Sequence, residues 1–73
     1  MKPIKLMSEF QNEQGWTFTV YSIELERLDT SDNWETIVYL ESERGTEEGP
    51  EIVLNSEKLL ALVRNGTMKR IGE

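Results

Sequence analysis

The side chains in this sequence that could do chemistry are almost all carboxylates. Glu41, Glu43, Glu47, Glu48 and Glu51 crowd the stretch ESERGTEEGPE, and Asp29, Ser31 and Asn33 place oxygens at alternate positions in DTSDNW. Paired carboxylates catalyse by acid/base exchange only when one of them is desolvated enough to hold a proton near neutral pH. Acidic residues in a charged loop and on the polar parity of strands stay solvated, so these read as surface rather than as a catalytic pair. The alternation in DTSDNW fails as a calcium loop. Trp34 stands where the loop needs glycine, and Leu40 stands where it needs a bidentate glutamate.

What is missing narrows the field further. The chain has no histidine and no cysteine, which removes the usual general base, the usual nucleophile activator, the thiolate and the commonest zinc ligands together. No cofactor and no metal are expected, and the chain reads as a non-enzyme. Asn65-Gly66-Thr67 matches a glycosylation sequon, but MKPIKLMSEF has no apolar run of signal-peptide length, so the triplet reads as a helix stop. No stretch approaches the roughly 20 apolar residues of a membrane span. The expected location is the cytoplasm.

Fourteen acidic against eight basic side chains give a net charge of −6, which argues against binding nucleic acid through its phosphates. The charge is uneven. Residues 1–57 carry thirteen acidic and four basic side chains, while residues 58–73 carry one acidic and four basic. An acidic body therefore precedes a basic tail, and in that tail Lys69 and Arg70 are flanked by the apolar Met68 and Ile71. The partner-binding candidates are Glu41, Glu43, Glu47, Glu48 and Glu51, for steering toward a basic surface, and Met68, Lys69, Arg70 and Ile71, for anchoring. Trp16 and Trp34 have the chemistry of base-stacking platforms, but packing in the core or at its rim outweighs that role.

At 73 residues the chain makes one small domain, expected over 1–66, with 67–73 as the tail. Its centre is the stretch Trp16 to Tyr39, two β-rich segments around the polar residues Asp29 to Asn33, read as a long hairpin. In the first arm Trp16, Phe18 and Val20 share a parity, whereas Tyr21, Ile23 and Leu25 share the other. An extra residue near Val20 or Tyr21, a β-bulge, reconciles the two sets. The second arm, Trp34 to Glu41, is apolar on both parities at its middle, as a central strand is.

Upstream, Ile4, Leu6 and Phe10 alternate behind Pro3 and read as an edge strand, followed by a turn at QNEQG with Gly15 at positive φ. Downstream, EIVL is a short strand. Asn55 or Ser56 then caps a helix carrying the stripe Leu59, Leu62 and Val63, with Leu60 at its border, and Asn65-Gly66 stops it. The tail reads as frayed in preference to a last strand. The fold class is α+β: a three- to four-stranded antiparallel meander with one short C-terminal helix on one face.

The segment EIVLNSEKLLALV resembles the strand-to-helix end of single-strand-binding domains of the transcriptional coactivator PC-four type. Where that family carries lysine and arginine on its binding strands, this chain has Glu24, Glu26, Glu35 and Glu41, so the resemblance implies no nucleic-acid contact. In length and charge the whole chain is similar to small acidic bacteriophage proteins that bind RNA polymerase as transcription inhibitors and antiterminators. That resemblance implies a larger host protein complex, RNA polymerase, as partner, and it assigns no residue; a monomer is expected in preference to an oligomer. The alternatives are an acidic mimic of DNA and a small structural or assembly subunit.

Overall fold

The two arms of the hairpin form the longest strands of the computed structural model, which describes residues 3–27 and 33–72. Apart from Asn33, the turn read at Asp29 to Asn33 lies outside the described residues, so the strands are followed from their paired ends. We number the strands β1 (Glu9–Asn12), β2 (Thr17–Arg27), β3 (Trp34–Arg44), β4 (Glu47–Glu48), β5 (Ile52–Asn55) and β6 (Met68–Gly72), with the helix α1 (Ser56–Arg64) between the last two. β2 and β3 pair antiparallel from Thr17 opposite Glu43 to Arg27 opposite Trp34, and the register slips by one residue between Val20 and Ser22. Tyr21 is therefore the extra residue of a bulge. The apolar sets on either side of it reach one face only if one residue is left out of the alternation.

Among the described residues the sheet has six strands, in the order β4-β3-β2-β1-β6, with β5 also paired to β3. β4 and β5 lie along the same side of β3, opposite Glu43 to Arg44 and Ile37 to Leu40 respectively. They read as one edge strand interrupted at Gly49, Pro50 and Glu51. β3 is thus central, as its apolar middle implies.

The ends of the chain depart from expectation. Pro3 to Ser8 is not a strand: Ser8 N donates to Lys5 O at 3.1 Å, closing a turn in which Met7 takes φ 71° and Leu6 is exposed. β1 is consequently short, and it is an inner strand, not an edge. The residues 67–73, expected as a frayed tail, supply the strand that covers it. β6 pairs antiparallel with β1, with Phe10 opposite Arg70 and Asn12 opposite Met68. β6 and the two-residue β4 are what raise the strand number above the expected three to four.

One face of the sheet carries Phe10, Phe18, Val20, Val38 and Leu40, all buried, and the helix closes over them with Leu59, which has no exposed surface. A nine-residue helix does not hold by itself in water, so α1 depends on this docking. Burying Leu59 stabilises by about 1.5–3 kcal/mol. The ends of α1 follow the sequence signals. Asn55 Oδ1 accepts from Lys58 N at 2.8 Å, Asn65 N donates to Ala61 O at 2.9 Å, and Gly66 ends the turn at φ 85°. Among the described residues, the opposite face of the sheet has no helix. There β3 presents Glu35, Tyr39, Glu41 and Glu43, and β2 adds Glu24 and Glu26 opposite Ile37 and Glu35.

Candidate functional site

The five candidate glutamates come from the end of β3 and the interrupted edge strand beside it. Glu41, Glu43, Glu48 and Glu51 line one depression of about 390 Å³ together with Thr19, Ser42 and Gly49. Backbone hydrogen bonding builds its wall. Gly49 N donates to Ser42 O at 2.9 Å, and the buried Ser42 hydroxyl donates to Pro50 O at 2.6 Å. Glycine is required at 49 by space: a Cβ there would stand 2.5 Å from Ser42 Oγ and 2.7 Å from the Trp16 ring. Glu47 is not part of this group. It pairs instead with Arg44 at 3.0 Å, both side chains being exposed, and such a pair contributes about 0–1 kcal/mol.

Trp16 packs at the rim of the core, with the Arg44 guanidinium 4.8 Å from its ring centroid. It is scaffold. Tyr21, pushed out by the bulge, lies on the acidic face, where its hydroxyl donates to Glu51 and its ring stands 6.3 Å from that of Tyr39 at 58°. The hydrogen bond to Glu51, then desolvation and the negative charges of Glu51 and Glu41, push the Tyr21 phenol up to about 12. The Tyr39 phenol is also raised, first by its hydrogen bond to Glu24. The glutamates of the depression are exposed, so the arrangement lacks the desolvated carboxylate that acid/base catalysis needs. Among the described residues, no group of three or more acidic side chains is placed to hold a metal ion.

The four candidates of the tail are divided between two jobs. Met68 packs against the core, and the Arg70 guanidinium donates to Pro3 O at 2.9 Å and to the buried Ser8 Oγ at 3.1 Å while lying 5.7 Å from the Phe10 ring centroid. Both are internal fixtures. Lys69 and Ile71 alternate with them and are exposed. In strand order β6 stands at the far side of the sheet from β4, so the structure does not bring the acidic and the basic candidates together.

A second concave surface was not among the candidates. Pro3, Ile4, Ile23, Thr36, Val38, Ser56 and Leu60 line a mainly apolar groove of about 270 Å³ beside the helix. It continues along the hairpin onto Leu25 and Trp34, which are 69% and 58% exposed on the same face. In the sequence both alternate correctly for core residues, and only the shortness of the flanking strands shows that nothing in the described chain covers them. No described helix is long and apolar enough to cross a membrane. Comparison with protein-family models, with curated proteins and with solved structures found no match.

Proposed function

We propose that this chain is a non-enzymatic binding protein of the cytoplasm that regulates transcription by protein–protein contact, with bacterial RNA polymerase as the partner. The observation that carries the reading is the gathering of Glu41, Glu43, Glu48 and Glu51 around one exposed depression, apart from the basic strand. Such a concentration of one sign on a rigid sheet steers a basic surface into register and speeds encounter more than it strengthens the final complex. Purified polymerase should retain the protein stoichiometrically at moderate salt, and in vitro transcription should respond to it. Changing all four glutamates to glutamine should slow association by about tenfold or more without unfolding the domain. Failure of polymerase to retain the wild-type protein ends this reading.

A second reading, mimicry of DNA, rests on the extent of the acidic face. Glu24, Glu26 and Glu35 lie on the same side of the sheet as Glu41 and Glu43. A mimic competes with duplex DNA for its partner and loses affinity steeply as salt rises, whereas a protein contact closed by apolar surface keeps much of its affinity. Competition measured at two ionic strengths separates the two.

A further inference from the structure

The hairpin outruns both of its neighbours. β1 pairs with β2 at Thr17 to Thr19, the backbone contacts next to it reach only Val20, and the chain then bends away through the turn at Lys5 to Ser8. β5 covers β3 only from Ile37 to Leu40. Ser22–Arg27 of β2 thus has β3 on one side and, among the described residues, no strand on the other. Its two faces differ sharply. One carries Ile23 and Leu25, with Arg27 at its end opposite Trp34, and continues into the apolar groove, whereas the other carries Glu24 and Glu26, with Glu35 across from Glu26.

A strand laid beside Ser22–Arg27 must send alternate side chains to these same two faces. We propose that this edge captures an extended segment of a partner protein in which apolar residues alternate with lysine or arginine, by strand addition. Its apolar set lies on Leu25, Trp34 and the groove, and its basic set lies beside Glu24 and Glu26. A second copy of this chain is a poor occupant. It would bring glutamates against glutamates on a molecule of net charge −6, and like charges set directly opposite destabilise a sheet. The inference rests on the protein-binding reading and names the chemistry of the segment bound.

The test uses the full chain, labelled for amide NMR, and three eight-residue peptides with blocked ends: valine alternating with lysine, the same composition reordered to a helical period, and valine alternating with glutamate. The first should bind saturably at low salt, with shift changes and added amide protection concentrated at Ser22–Arg27 and a blue shift in Trp34 emission. Leu25→Lys and Trp34→Ser, both at exposed positions, should each weaken it at least tenfold with the melting temperature unchanged. The idea is overturned by equal binding of the reordered peptide, by shift changes centred on the acidic depression, by binding of none of the three, or by arm contacts that follow self-association in sedimentation. Polymerase capture separates the two levels. If capture persists while peptide binding is absent, the edge site is wrong and the partner reading stands; peptide binding without capture supports the edge site and removes polymerase as partner.

Discussion

Tyr21 shows how one side chain inherits its chemistry from a slip in register. The bulge turns it from the core face to the acidic face, and there its phenol donates to Glu51 in a field of other carboxylates. A proton on oxygen is favoured, and the folded phenol is raised to about 12 from an ordinary value of 10.0. Between those limits the unfolded chain has already released the proton that the native state holds, so the stabilisation is complete below pH 10 and is lost as pH climbs toward 12. An ultraviolet titration should resolve a tyrosinate forming at a midpoint near 12, and Glu51→Ala should move it down toward the ordinary value. An unchanged midpoint in that variant would mean that Glu51 is not the cause.

At the level of elements, β6 is an edge strand with a structural task that its basic composition hides. Met68 and Arg70 face the core side, and Arg70 ties the segment at Pro3 to the buried Ser8. Arg70→Ala removes hydrogen bonds to a buried hydroxyl and a carbonyl together with the contact over Phe10, and should cost about 1–3 kcal/mol in denaturant unfolding. A frayed tail would give no change. The same strand marks the limit of what could be read in the sequence. The hairpin, the bulge, the helix and both of its caps were legible because each has a local cause: a parity shift at Tyr21, an amide acceptor at Asn55, a glycine at 66. β6 was not, because one of its two core-side residues, beside Met68, is Arg70, which reads as surface until Ser8 and Pro3 supply acceptors from the other end of the chain. β1 was misplaced for the same reason. Pro3 signals an edge, but the covering strand comes from sixty residues away in sequence, as Phe10 opposite Arg70 shows. The acidic candidates were found as a charge run, yet only the fold separates Glu47, drawn off to Arg44, from the four that share a depression.

The molecule is an elongated sheet, 42 Å along its longest axis and 18 Å along its shortest, with its densest group of carboxylates at the β3–β4 edge. Its partner surface on the present reading has two parts, a field that attracts from the acidic face and an arm that holds through backbone and apolar contact. The pairing of β1 with β6 also has a kinetic meaning. Those are the first and last of the described strands, so closing them costs more loop entropy than closing the hairpin between them. The hairpin of β2 and β3 is therefore expected to form in the folding transition state and β6 to dock afterwards. In stopped-flow measurements, Val38→Ala should chiefly slow folding, while Arg70→Ala should chiefly speed unfolding. On a ribosome, β1 must wait for Met68 to emerge before its second edge is covered, and until then Phe10 stands open to any passing strand.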